Sequence, residues 1–257
     1  MMKKFNMFKK IVHDDDQMDI RRLVNNSAPF AVCEAFRTLY TNVLYLPINN
    51  KCKKIALTSA VSGEGKTFVS LNLCMTIAQN SAEYKVLLID ADMRQPRVAN
   101  LLGDKDVTSH GLSEFLAGID EKPNIKKTDI PNFDVITAGG ESVNPGALIR
   151  SSKMRDLITL CEQDYDYVII DTPPVGIVSD ATLLCDYVDG YILSTRADYS
   201  DIKSISEAVD ALQHVGATVF GTVLCNVKFK TGRHGRYGKY KYGKYGKYGD
   251  SNSDSAS

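Results

Sequence analysis

The sequence predicts an α/β protein in three layers, a mostly parallel β-sheet with helices on both faces. Three observations carry this. Short apolar runs alternate with longer stretches of helical periodicity, the pattern of a parallel sheet whose crossovers are helices. Two of those runs, VLLID (86–90) and YVIID (167–171), stay apolar up to a terminal Asp, as strands covered on both faces must. One strand-to-helix junction is a glycine-rich turn, SAVSGEGKT (59–67).

Each element follows from local pattern. Residues 1–30 are polar, mixed in charge and end in NNSAPF, which reads as an irregular, flexible arm. AVCEAFRTLYTNVLYL (31–46) has apolar groups at helical spacing and no breaker, so it is a helix. KKIALTSA (53–60) is a strand and TFVSLNLCMTIAQN (67–80) a helix. KVLLIDAD (85–92) is a strand ending in acids, and GLSEFLAG (111–118) a short helix. FDVITAGG (133–140) is a strand, and ALIRSSKMRDLITLCEQ (147–163) reads as one helix. YDYVIIDTPP (165–174) is a buried strand, SDATLLCDYV (179–188) a helix and GYILSTRAD (190–198) a strand. SISEAVDALQHVG (204–216) is a helix, and VFGTVLCNV (219–227) the last strand. From Lys228 the composition turns to Lys, Gly, Tyr, Ser and Asp, with a repeated KYG unit. Residues 229–257 therefore read as a disordered tail, and 31–228 as the folded domain.

Bulk properties exclude several classes. A chain of 257 residues accommodates one large α/β domain with tails, or two small domains. Its 44% hydrophobic and 24% charged content are ordinary globular values. The formal net charge is zero, so the whole molecule is no generic polyanion binder. Charge is uneven, however: eight Lys and Arg and no acid lie between Lys228 and Lys247. Six scattered cysteines form no CxxC pair, which argues against zinc and iron–sulfur sites. Buried reduced thiols fit them best, and with them a cytoplasmic setting. MMKKFNMFKK has no apolar core of a secretory signal, and no run approaches the length of a membrane span.

The chemistry lies in three ordered pieces. SAVSGEGKT follows a strand and opens a helix, the context a phosphate-binding loop requires. Its glycines let backbone N–H groups curl toward phosphate oxygens, and the helix N-terminus adds a positive dipole end. Lys66 is placed to reach the β- and γ-phosphates and Thr67 to ligate Mg²⁺; Ala60 stands where the consensus has Gly. The second piece, VLLIDAD, places Asp90 and Asp92 at the carboxyl end of a strand, the edge where open parallel sheets bind ligands. Two apart, both carboxylates can face one side. One could hold Mg²⁺ and the other accept a proton. The third, YVIIDTPP, ends in Asp171, the Walker B acid that supports Mg²⁺. In order, the three point to a P-loop NTPase that binds Mg-ATP or Mg-GTP; the absence of N-K-x-D favours ATP. Asn226, beyond the last strand, is either a contact to the base or a turn residue.

The ordered set SGEGKT, LLIDADMRQPR and VIIDTPPVGIVSDA resembles the bacterial P-loop protein-tyrosine kinases, closest in look to the CpsD/CapB kind of capsule and exopolysaccharide synthesis. The likeness runs from about Glu34 to Val227, and TAGGESVNPGALI belongs to it. It implies that Ser62, Gly63, Glu64, Gly65, Lys66 and Thr67 wrap the phosphates. Thr67, Asp92 and Asp171 would serve Mg²⁺, and Asp90 would be the base for a tyrosine hydroxyl. EAFRTLY resembles the family's E-x2-R-x2-R oligomerisation helix, with Glu34 and Arg37 in place and Tyr40 where the last Arg belongs. The implied partners are further copies in a ring, an octamer in form, a membrane adaptor of the polysaccharide chain-length-regulator type, and a cognate tyrosine phosphatase. The implied location is the inner face of the membrane, reached through that adaptor. The wider ParA/MinD relatives carry a signature lysine where this chain has Val61, which argues against a positioning ATPase.

The tail then acquires a use. Tyr237, Tyr240, Tyr242, Tyr245 and Tyr248 sit among Gly and Lys, and the resemblance makes them autophosphorylation sites. Glycine supplies the reach a substrate needs. Five phosphates would add on the order of −8 to −10 charges. The rival is a basic, aromatic segment that stacks on nucleic-acid bases, suited to a positioning ATPase with a polyanion-binding tail. A scaffold that uses ATP only as a switch is a third reading.

Overall fold

A computed structural model describes residues 28–104, 110–140, 142 and 144–227. Residues 1–27 of the N-terminal arm and the five tail tyrosines lie outside the described residues. The chain divides into two compact units, Met1–Cys225 and Asn226–Ser257. Of the second, only Asn226 and Val227 are described.

The first unit holds helix α1 (Phe30–Leu44), strand β1 (Lys53–Ser59), α2 (Lys66–Asn80), β2 (Val86–Asp90), α3 (Val98–Leu101), α4 (Leu112–Ala117), β3 (Lys126–Lys127), β4 (Phe133–Ile136), α5 (Pro145–Ile149), α6 (Ser152–Asp164), β5 (Tyr167–Asp171), a 3₁₀ helix (Ser179–Tyr187), β6 (Gly190–Arg196), α7 (Ile202–His214) and β7 (Val219–Cys225). The strands form one sheet in the order β3-β4-β2-β5-β1-β6-β7. Every pairing is parallel except the short antiparallel edge β3–β4.

Strand parity sorts the core onto two faces. Ile55, Leu57, Leu88 and Ile169 point to one side, where they pack with α1 and the almost wholly buried α2. Their neighbours Leu87, Ile89, Val168 and Ile170 point to the other, against α4 and α6. Period-two alternation on an all-buried strand therefore feeds two cores at once. A third cluster joins Ala56, Tyr191 and Leu193 to Ala208 and Leu212 of α7. β7 is only partly covered, with Leu224 exposed.

Three local readings need correction. Residues 147–163 are not one helix: α5 ends at Ile149, Ser151 is extended (φ −67°, ψ 157°), and α6 starts at Ser152. The helix also starts at Pro145 rather than Ala147: Asn144 Oδ1 accepts from Ala147 N at 3.2 Å and Pro145 opens the first turn. Residues 179–187 form a 3₁₀ helix rather than an α-helix. The two periods, 3.0 and 3.6, separate by half a turn only at the far end of a nine-residue run, too short a stretch for the side-chain pattern to tell them apart. The two-residue strand β3 and the one-turn α3 are too short to leave a periodic signal.

α1 docks through Phe36 and Val43, with Phe36 meeting Phe68 of α2 edge to face at 5.7 Å. Glu34 and Arg37 lie on its outer side and pair with each other. Tyr40 turns toward the core instead, where burial and the neighbouring Tyr84 raise its pKa. Of the three residues expected on an oligomerisation face, two share an exposed surface and the third packs inward.

Candidate functional site

The site sits at the carboxyl edge of the sheet, where β1, β5 and β2 end side by side. Asp90 and Asp171 are direct partners in the β2–β5 register, and Leu57 pairs with Asp171 across β5–β1. Sheet topology alone thus brings the two strand-end acids beside the loop that leaves β1.

That loop ends where Gly65 adopts a left-handed conformation (φ 89°) ahead of α2. Gly63 is left-handed as well (φ 82°). A side chain at either position would strain the backbone. Lys66, in the first turn of α2, places Nζ 2.6 Å from Asp92 Oδ2 and 4.0 Å from Asp171 Oδ2. Asp171 Oδ1 accepts from Ser70 Oγ at 3.1 Å. Its Oδ2 is buried with no hydrogen-bond partner.

Asp90 is fully buried, and both its oxygens are engaged. Oδ1 accepts from Asp92 N and Oδ2 from Val98 N, each at 3.2 Å. Asp92 Oδ1 accepts from Gln95 N at 3.0 Å. Burial, with the Asp171 charge adding to it, pushes the Asp90 carboxyl well above the usual carboxylate range. Burial also raises Asp171, against the pull of Lys66. For Lys66, burial acts downward, but Asp171 and Asp92 outweigh it and its pKa rises. Three carboxylates thus share one ammonium, which leaves the site hungry for cations.

The structure brings Lys66, Thr67, Asp90, Asp92 and Asp171 together. Among the described residues no group of three or more His, Cys, Asp or Glu is arranged to hold a metal by itself. Mg²⁺ takes one or two carboxylates and completes its shell with water and phosphate oxygens. Asp171 Oδ2, which makes no hydrogen bond and faces the Lys66 ammonium at 4.0 Å, provides such an oxygen.

Glu64 behaves differently from its neighbours in the loop. Its side chain is buried, accepts from Val61 N at 2.9 Å and from Ser200 Oγ, and faces no open space. It braces the loop from behind. Sequence reasoning missed this, and it missed Ser70. It also assigned no role to Arg94, whose guanidinium grips the buried Asp180 through Nε–Oδ2 (2.6 Å) and Nη2–Oδ1 (3.1 Å). The signal was present, since Arg94 and Asp180 lie within the segments DMRQPR and VSDA. Nothing in one sequence says that they meet.

A loop of this shape, followed by a buried lysine and flanked by strand-end acids, defines a P-loop nucleotide-binding protein. Comparison with known proteins narrows the class. A family described as an AAA domain matches residues 52–220. The chain is 36% identical over 202 residues to the tyrosine-protein kinase CpsD of Streptococcus pneumoniae serotype 4, covering 78% of this chain and 87% of that one. It is 38% identical over 205 residues to the tyrosine-protein kinase etk of Escherichia coli K12, 79% of this chain but 28% of etk. Its structure matches the kinase domain of Escherichia coli ETK with a TM-score of 0.75 at 34% identity, covering 85% of this chain and 84% of that one. The septum site-determining protein MinD of Pyrococcus horikoshii shares only the fold, at 23% identity and a TM-score of 0.55 over 67% of this chain and 70% of its own. The chain belongs to the bacterial tyrosine-protein kinase family of CpsD and etk.

Proposed function

We propose that this chain transfers the γ-phosphoryl group of ATP to tyrosine hydroxyls, those of its own C-terminal cluster in a neighbouring copy among them. The observation that carries this is the meeting of Lys66, Asp92 and Asp171 at the phosphate loop, in a chain whose relatives are named tyrosine-protein kinases.

Residues 62–67 would hold the phosphates through backbone N–H groups, and Lys66 would leave Asp92 for the β- and γ-oxygens. Thr67, Asp92 and Asp171 would hold Mg²⁺, which neutralises the charge that develops on the transferred group. The bond from the γ-phosphorus to the bridging oxygen breaks, a bond to the tyrosine oxygen forms, and ADP leaves. The tyrosine proton goes to Asp90. Its raised pKa suits a proton acceptor, but it must first release Val98 N or Asp92 N.

The neighbouring copy is supplied by a ring in which Glu34 and Arg37 exchange their mutual pair for contacts across the interface. Tyr40 supports the helix from within. Phosphates on Tyr237, Tyr240, Tyr242, Tyr245 and Tyr248 would turn the tail from basic to neutral or acidic and loosen the ring, and a cognate phosphatase would restore it. Light scattering reads this directly: equal particle size before and after full phosphorylation refutes the disassembly step. A membrane adaptor of the chain-length-regulator type would activate the kinase at the inner face of the membrane, linking it to synthesis and export of a surface polysaccharide. Among the described residues no helix is long and apolar enough to cross a membrane.

The deciding experiment incubates the protein with Mg-ATP, with and without an adaptor segment, and maps phosphate by tandem mass spectrometry. Phosphotyrosine between Tyr237 and Tyr248 that disappears in Lys66→Met is the expected result. ATP turnover without phosphotyrosine under every condition would replace the kinase with a positioning ATPase.

A further inference from the structure

The end of β6 and the turn that follows it touch the phosphate loop at consecutive carbonyls. Tyr199 Oη donates to the carbonyl of Ser62 at 3.0 Å. Arg196 Nη1 donates to the carbonyl of Gly63 at 3.1 Å. Ser194 Oγ donates to the carbonyl of Glu64 at 2.7 Å. The Arg196 guanidinium lies over the Tyr199 ring, 5.4 Å from its centre. Ser200 closes the set by donating to the Glu64 carboxylate.

Peptide geometry gives these contacts a meaning. In a planar trans peptide the C=O of one residue and the N–H of the next point in opposite directions. Holding the carbonyls of Ser62, Gly63 and Glu64 toward β6 therefore aims the N–H groups of Gly63, Glu64 and Gly65 away from it. Those are three successive amides of the loop proposed to bind phosphate. The glycines leave the loop free to rotate these peptides. Something must select one orientation.

We infer that Ser194, Arg196 and Tyr199 form a clasp that aims the phosphate-binding amides and so sets nucleotide affinity. They are positioning residues, acting on the ligand only through the loop. Their effect is preorganisation: without the clasp, binding must itself order the three peptides. The clasp also explains an oddity of the loop, that Glu64 is buried in a turn otherwise made of small residues. Its side chain ties the same turn to Val61 N and Ser200.

This inference rests on the nucleotide-binding reading given above, and the test separates the two. A fluorescent ADP analogue with Mg²⁺ is titrated into the full chain and into its Tyr199→Phe and Arg196→Gln variants. Tyr199→Phe keeps the ring beneath Arg196 and removes only the hydroxyl. Each variant is expected to raise Kd for the analogue and KM for ATP about two- to twelvefold, the range for one hydrogen bond, with kcat changed less. Because the two donors hold adjacent peptides, the double variant should lose less than the product of the single effects. Both side chains are largely exposed, so thermal unfolding without nucleotide should hardly move. Unchanged Kd and KM would overturn the clasp while leaving the nucleotide site intact. So would a fall in kcat that tracks a fall in thermal stability, since that marks a merely structural role. Failure of the unaltered chain to bind the analogue would remove the nucleotide-binding reading itself, and the clasp with it.

Discussion

Lys66→Met is the customary way to silence a phosphate loop, and here it should do more than that. Lys66 is the ammonium shared by Asp92 at 2.6 Å and Asp171 at 4.0 Å, and Asp90 lies in the same buried group. Taking one partner from a buried ion pair costs about 3–5 kcal/mol, because the remaining charge is left uncompensated. For a domain of this size that is a fall in Tm of roughly 6–20 °C. The pH dependence identifies the cause. In the parent protein burial already raises the Asp90 and Asp171 carboxyls, and Lys66 opposes the rise. Removing Lys66 raises them further. A carboxyl whose folded pKa lies above its unfolded value of about 4 loses stability as pH climbs from that value through the folded one. The Lys66 ammonium has a raised pKa, so its own contribution is constant below its unfolded value of about 10.4. The gap between variant and parent should therefore be smaller near pH 4 and widen toward pH 8. Nucleotide-free thermal unfolding followed by circular dichroism across that range is the assay. A gap independent of pH would refute the argument, and so would no gap at all at pH 8. A positive result would also require each loss of activity in Lys66→Met to be separated from loss of fold.

Other outcomes follow from single contacts. Asp180→Asn weakens the two-pronged grip on Arg94, a charged pair worth about 1.5–3 kcal/mol. It should lower Tm by roughly 3–12 °C and raise the Mg²⁺ concentration needed for half-maximal activity, because the loop carrying Asp92 is released. Gly176→Ala would set a methyl group 2.3 Å from the Ala60 carbonyl oxygen. Backbone must move to admit it, at a cost of about 1–3 kcal/mol, and nucleotide affinity should fall with stability in the same titration. Cys52 and Cys161 are buried, their thiols pushed up to about 12. Native protein should leave both unlabelled by iodoacetamide at pH 8 while denatured protein reacts in full; peptide mapping distinguishes the two cases.

How far the sequence carries the reader depends on the range of the contact. The strand acids Asp90 and Asp171 and the loop around Lys66 declare themselves, because each is a local pattern on a regular element. Their convergence follows from the rule that parallel sheets bind ligands at the carboxyl edge. The clasp and the Arg94–Asp180 pair do not, since they join residues 86 to 137 positions apart, and a single chain holds no record of such meetings. Tyr40 shows the same limit on a smaller scale. The family resemblance places it with Glu34 and Arg37, yet packing against the core decides which way its ring turns. The break at Ser151 was missed because helical periodicity continues across it; only the backbone angle reveals it.

The strand order also dictates when this protein can first become active. β5 lies between β2 and β1, so those two cannot pair with each other, and their shared neighbour is made later. Counting from Asp90 to Asp171, 81 residues must be added before the gap can close. At ribosomal speeds that is about 4–16 s. During that interval the nascent chain already carries its lysine and its first acids but no sheet to bury them in. Nucleotide capture is thereby postponed until the centre of the sheet is complete, and an unfinished chain has no opportunity to spend ATP.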